Sequence, residues 1–256
     1  MTLILALVCK DGMVFASDGQ SVTAATAHGM HLGVQQGVSK INRLGDDKLW
    51  GFAGSEGIGQ LVKDEIDKLN KSNKAIIKKP LSDPGLREYL KNIHCSVTNA
   101  EIERQIACGV SPNYCERASL LFVGSSPSKI LHISSKCVSQ FCEHYGAMSV
   151  GDGIFYAETF LSNFRGRLKD FTVEEGCVIA YRAISDAVQI NVGYIHGESI
   201  LGVIGEPIDV WTIKDKEKAE QKSPNEIERL KDIILSWKGA EIKSFKEFLK
   251  ENNAFQ

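Results

Sequence analysis

Across 256 residues, no apolar run reaches the roughly 18 positions that a membrane-crossing helix needs. The opening run, Leu3 to Cys9, stops at Lys10-Asp11-Gly12 and has neither a basic leader nor a small-residue cleavage site, so it does not read as a secretory signal. An excess of one charge is also lacking: 30 basic side chains face 32 acidic ones. That balance excludes the basic field that holds a nucleic-acid backbone, and a polybasic membrane anchor with it. Six prolines and 23 glycines are too few for a fibrous chain. The seven cysteines are odd in number and scattered, which fits free thiols in a reducing cytoplasm better than a disulfide framework. What is present, 43% hydrophobic and 24% charged, is enough to bury the core of one large soluble domain or two small ones.

The first 55 residues alternate short apolar runs with turns. Leu3 to Cys9 reads as a buried strand and Met13 to Ala16 as its return across Lys10-Asp11-Gly12. Ser39 to Leu44 and Lys48 to Ala53 form a second pair, and the small, polar stretch from Ser21 to Gly37 reads as an irregular loop. Ile58, Leu61, Val62, Ile66 and Leu69 then make the stripe of an amphipathic helix. After a basic linker (Lys71 to Lys79), Ser82-Asp83-Pro84 starts a helix expected to run to Ile106. Strands return at Leu120 to Gly124, Lys129 to Ile133 and Val138 to Cys142. A helix follows Gly151-Asp152-Gly153 to about Phe164, and the capping box Thr172-Val173-Glu174-Glu175 opens another to about Ile190. Strands near Ile200 to Ile204 and Val210 to Ile213 complete an order of strands, two helices, strands, two helices, strands. That order is α+β, two sheets with helices outside them.

From Lys214 onward charges of both signs crowd together. Ser223-Pro224-Asn225-Glu226 caps one stripe (Ile227, Leu230, Ile233, Ile234, Trp237), and Gly239 separates it from a second (Ile242, Phe245, Phe248, Leu249). The expectation is an appended helical hairpin over 214–256, beside a domain over 1–213. Its aromatic residues fit packing on the parent domain better than a docking site.

Thr2 is the informative position. Its small side chain permits removal of Met1, which would leave a hydroxyl and a free α-amine on one residue. An α-amine titrates near about 7.7–8.0, so it can take the hydroxyl proton at neutral pH. Three further features follow by residue 54: Asp18 closing a strand, Lys40 between small and apolar residues, and Gly54 where a strand passes to a helix and a backbone N–H can approach an oxyanion.

Thr2-Leu3-Ile4-Leu5-Ala6, Asp11-Gly12, Ala16-Ser17-Asp18-Gly19-Gln20, Lys40-Ile41 and Ala53-Gly54-Ser55-Glu56-Gly57 with Gln60 resemble the proteasome β-type N-terminal-threonine hydrolases, including the bacterial HslV peptidase. Asp-Gly-Gln is closest to the HslV form. Gly151-Asp152-Gly153, Glu175-Gly176 and Arg182-Ala183-Ile184-Ser185 extend the likeness, which spans residues 2 to 213. The resemblance implies a four-layer αββα sandwich (the Ntn-hydrolase fold) and a threonine-type peptidase without cofactor. Thr2 would be the nucleophile and its amine the base. Lys40, held by Asp18, would supply positive charge, and Gly54 the oxyanion donor. Asp152 stands where the family has Ser, a second carboxylate near the amine, while Asn191 and Tyr194 replace a carboxylate and a hydroxyl. Ser21, Phe52 and Glu56 match substrate-binding positions, giving a narrowed pocket with an acidic wall. The implied partners are a polypeptide substrate, further copies in a ring and a separate ATP-dependent unfoldase. A non-catalytic subunit on the same fold, or an acyl-transferring enzyme, are the alternatives.

Other constellations carry less. Cys137 and Cys142 have opposite parity on a strand pair, which argues against a zinc site with His132 and His144. Cys108 and Cys115 match no metal spacing, and Gly54 to Gly59 lacks the lysine of a phosphate loop.

Overall fold

A computed structural model describes residues 2–25, 31–36, 39–72, 74–164, 166–190, 193–195, 198–200 and 205–251, with the side chains of 21–25, 31–36, 190, 193–195, 198–200 and 249–251 left aside. In chain order, β1 (Leu3–Cys9) and β2 (Gly12–Ser17) are followed by β3 (Gln20–Ala25), β4 (His31–Gln36), β5 (Ile41–Arg43) and β6 (Lys48–Gly54). Helices α1 (Glu56–Ser72), α2 (Lys74–Ile77) and α3 (Pro84–Ala107) come next. Then come β7 (Ala118–Ser125), β8 (Ser128–Ile133), β9 (Ser139–Phe141), β10 (Ala147–Gly151), α4 (Ile154–Leu161) and α5 (Val173–Ile190). The chain closes with β11 (Gly193–Ile195), β12 (Glu198–Ile200), β13 (Asp209–Lys214), β14 (Glu220–Gln221) and α6 (Pro224–Glu251).

Two five-stranded antiparallel sheets organise these elements, in the orders β10-β1-β2-β13-β14 and β5-β6-β7-β8-β9. β1 shows why they stack. Every residue from Leu3 to Cys9 is buried, and alternation sorts them between two faces. Leu3, Leu5, Leu7 and Cys9 join Val14, Ala16 and the residues of α4 and α5 on one side. Ile4, Ala6 and Val8 join Met13, Phe15, Leu49 and Leu121 between the sheets. On the far side of the second sheet, Trp50, Leu120 and Phe122 meet Ile58, Val62, Leu86 and Leu90 of α1 and α3. The result is the expected α+β sandwich of four layers, αββα. A strand buried on both faces reads as a continuous apolar run, and removing each such side chain from water contributes about 1.5–3 kcal/mol.

Several local expectations are met. Asp83 caps α3 by accepting from the Leu86 N–H at 3.0 Å, and Glu175 accepts from the Thr172 N–H at 2.7 Å at the start of α5. Others are corrected. The Ser21–Gly37 stretch is not an irregular loop: β3 and β4 pair antiparallel within it, since Val22, Thr23 and Val34 favour extended backbone over the glycines. Short α2 interrupts the basic linker, because Ile77 finds the α1–α3 core. β10 went unread because Ala147-Met148-Ser149-Val150-Gly151 is short and weakly apolar, yet it pairs with β1 from Leu3 to Leu7. The strand expected at Ile200–Ile204 lies largely outside the described residues.

The appended hairpin is also corrected. Residues 224–251 form one helix of 28 residues, which runs through Gly239 without a break. A glycine inside a helix costs only about 1 kcal/mol against alanine, and Gly239 stays in the helical backbone. The first half of α6 belongs to the helix layer of the first sheet, with Leu230 and Ile234 buried there and Ile227 and Trp237 packed against it. Trp237 meets Phe160 at a tilt and Phe164 edge-on, and the Arg182 guanidinium lies 5.0 Å over its ring. Arg182 also reaches Glu241 at 3.0 Å. Farther along, Ile242, Phe245 and Phe248 are exposed; the expectation that the tail aromatics pack on the body holds for Trp237 and not for Phe245.

Candidate functional site

The site forms where the N-terminus of β1 meets β10, the end of β2 and the edge of the second sheet. Thr2 is buried, and its carbonyl accepts from the Asp152 N–H at 2.8 Å, so pairing with the β10 side extends one residue beyond β1. Gly151 makes this approach possible. It holds φ +109°, and a Cβ there would collide with the Thr2 carbonyl. The Thr2 N–H, a peptide group in the chain that carries Met1, donates to Asp152 Oδ2 at 3.3 Å.

Asp18 is the fixed point of the cluster. It is fully buried, and its carboxylate accepts from the Leu3 N–H and from Lys40 Nζ, both at 2.8 Å. The Gln20 N–H at 3.3 Å and the Gly205 N–H at 3.4 Å complete its shell. A buried charge needs both a counter-ion and hydrogen bonds to offset its desolvation, and Asp18 has both. Lys40, 6% exposed, comes from the strand-edge segment ahead of β5, so the ion pair ties one sheet to the other. Gly51 permits the close approach, because a Cβ there would lie 2.7 Å from Ile4 Cδ1 and 2.8 Å from the Lys40 carbonyl. Burial pushes the Lys40 ammonium below the ordinary lysine range. Asp18 opposes that shift, with weaker help from Asp152 and Glu56.

The remaining residues form the rim. Ala53 lies beside Gly151, which sets the end of β6 next to Thr2. Gly54 holds φ +119°, and a Cβ on it would strike the Arg117 carbonyl, so this strand-to-helix turn requires glycine. Glu56 opens α1 and is exposed, as is Asp152. Phe52 is half-buried, with its ring against Gly59, where a Cβ would collide with it. Thr2, Asp18, Lys40 and Asp152 are thus brought together, with Gly54 and Glu56 on the adjoining turn. The side chains of Ser21 and Tyr194, and all of Asn191, lie outside the described residues.

Two participants escaped the sequence reading. Gly205 donates to Asp18 from 187 positions away, a link no local pattern carries. Gly151 had been read only as a helix entry, although its pairing with Leu3 makes its left-handed backbone the support of Thr2. Among the described residues, no group of three or more His, Cys, Asp and Glu side chains could hold a metal ion, and no helix is long and apolar enough to cross a membrane.

These four layers are those of the proteasome-like Ntn fold. Among the solved structures that share it are two described as Anbu. One is Anbu, described as an ancestral β-subunit, from Yersinia bercovieri, with a TM-score of 0.67 and 13% identity over 95% of this chain and 96% of that one. The other is a Gly-1 mutant of Anbu from Hyphomicrobium sp. strain MC1, with a TM-score of 0.65 and 15% identity over 96% of this chain and 97% of that one. At such identities the likeness is one of fold. No protein-family model and no curated protein sequence matches the chain.

Proposed function

We propose that the chain is a threonine-type amidohydrolase that cleaves peptide bonds through Thr2 after removal of Met1. The observation that carries this reading is the Asp18 carboxylate, bonded at 2.8 Å both to the Leu3 N–H and to Lys40 Nζ. It fixes the residue after the nucleophile and the cation to one buried anchor. Removal of Met1 would convert the Thr2 N–H into an α-amine, which takes the hydroxyl proton directly or through a water. Thr2 Oγ would attack the substrate carbonyl carbon while the Lys40 ammonium stabilises the developing alkoxide. The Gly54 N–H would then hold the tetrahedral oxyanion, an interaction worth about 3–4 kcal/mol in comparable sites. Collapse gives an ester on Thr2 and expels the amine, which takes the proton from the α-ammonium; water then hydrolyses the ester.

Phe52, Glu56 and Ser21 would line the substrate pocket, with Glu56 as an acidic wall. Residues up to 213 form the hydrolase portion in this reading and the rest its extension. The finer HslV likeness rests on Asp18-Gly19-Gln20. With it come a polypeptide substrate, assembly into a ring, a separate ATP-dependent unfoldase, and a cytoplasmic setting that suits seven unpaired cysteines. One observation favours a non-catalytic subunit: Asp152 stands 3.3 Å from Thr2 N, where the family carries Ser, and would hold the amine protonated.

Intact mass and an epoxyketone or β-lactone probe test the proposal. The expected result is a chain lacking Met1 that takes up one probe on Thr2, with labelling lost in Thr2→Ala and Lys40→Ala. Retained Met1, or labelling that survives in Thr2→Ala, overturns it. A competing amine added to a peptide substrate separates hydrolysis from acyl transfer.

A further inference from the structure

Two of the seven cysteines meet on the opposite side of the second sheet from the first. Cys95 lies on α3 and Cys137 in the turn between β8 and β9, and both are half-exposed. One carbonyl pins the two segments together. Ser134 O accepts from His94 Nε2 at 3.2 Å and from the Cys137 N–H at 2.8 Å. A carbonyl can only accept, so Nε2 carries the proton and Nδ1 is left to accept from Thr98 Oγ1 at 3.4 Å. The shared acceptor therefore holds Cys137 itself and the direct neighbour of Cys95. The two thiols fall within each other's electrostatic reach. Burial first, then its bond to Cys137, pushes the Cys95 thiol up to about 12.

Cys137 also holds φ 62°, a left-handed backbone that glycine or asparagine usually supplies. The other five cysteines are placed differently: Cys9, Cys115, Cys142 and Cys177 are buried, and Cys108 is exposed.

We propose that Cys95 and Cys137 are a peroxide-oxidisable dithiol that closes to a disulfide and staples α3 to the β8–β9 turn. Cys137, in the half-exposed turn and not on the helix, takes the peroxide. Its sulfur attacks one oxygen of hydrogen peroxide. The O–O bond breaks, the second oxygen leaves as water with the Cys137 proton, and Cys137 becomes a sulfenic acid. The Cys95 sulfur then attacks the Cys137 sulfur. The S–S bond forms, the S–O bond breaks, and the hydroxyl leaves as a second water with the Cys95 proton. Two thiols lose two electrons in total and one peroxide gains them.

The full chain, titrated with hydrogen peroxide and mapped by peptide mass spectrometry with and without reductant, tests this. The expected product is a monomer lighter by two hydrogen atoms, with one crosslink joining the peptides of Cys95 and Cys137. Its Tm should rise on the order of 5–10 °C, because the bridge closes a loop across β7 and β8, and reductant should reverse the rise. Cys95→Ser and Cys137→Ser should abolish the crosslink, and Cys108→Ser should leave it intact. Cys137 accumulating as sulfinic acid while Cys95 remains open to alkylation would overturn the proposal. So would crosslinks that run between chains through Cys108.

Discussion

The two helix layers cover their sheets with different chemistry. α5 meets the first sheet through Cys177, Ala180, Ala183, Ile184 and Ala187, small or apolar groups that are all fully buried. α3 meets the second sheet through Leu86 and Leu90, but also buries His94, Thr98 and Gln105. The first layer is held by shape: a Cβ on Gly176 would come within 3.1 Å of Val14 Cγ2 and closer still to Cys9 Sγ. The second layer is held partly by hydrogen bonds that respond to protons and oxidants. Small residues let α5 settle close to β1 and β2, the strands that carry Thr2 and Asp18. The polar residues of α3 place its sensitivity on the layer away from that anchor.

Four substitutions would break or sharpen this contrast. Ile184→Ala has the largest expected cost, about 2–5 kcal/mol in denaturant unfolding, and the loss should be the same at neutral and mildly acidic pH. Gly176→Val should cost about 1–3 kcal/mol from overpacking against Cys9 and Val14, whereas a tolerated valine would mean the α5 layer is looser than its contacts indicate.

His94→Gln tests the other layer. Burial pulls His94 below the ordinary histidine range, and burial and His94 do the same to His132. As pH falls through about 6.5, the unfolded chain therefore binds protons that the folded chain still refuses, and stability drops across that window until the folded histidines protonate in turn. Melting curves at stepped pH should show this decline in the native chain and a shallower one in His94→Gln. Smallest in stability is Asp152→Asn, below about 0.5 kcal/mol for an exposed side chain. Its expected signature is functional: without the carboxylate beside the Thr2 amine, the pH profile of probe labelling should move to lower pH.

The sandwich was legible because its strands are extreme. Leu3 to Cys9 admits few readings other than a strand buried on both faces, and the stripe of α1 and the capping boxes are local signals. What stayed hidden was non-local or short. β10 is recognisable only through its partner β1, and the β3–β4 hairpin lies in residues whose glycines suggest a loop. In the cluster, Thr2, Asp18, Lys40 and Gly54 could be named because their spacing resembles a known pattern. The Gly205 bond to Asp18 could not, since it links positions 187 apart. Gly239 misled for a simpler reason: a helix ends where its backbone turns left-handed or its partners run out, and composition reports neither.

The unbroken course of α6 turns sequence length into angle. Its 28 residues span about 42 Å, with Leu230 and Ile234 seated near one end and Ile242 and Phe245 exposed toward the other. Each residue advances a helix by about 100°, so deleting Gly239 alone would leave the seated end in place and swing the far apolar side chains roughly a quarter-turn around the axis. The helix is a torsion rod, and the direction in which its outer half faces is set by counting residues.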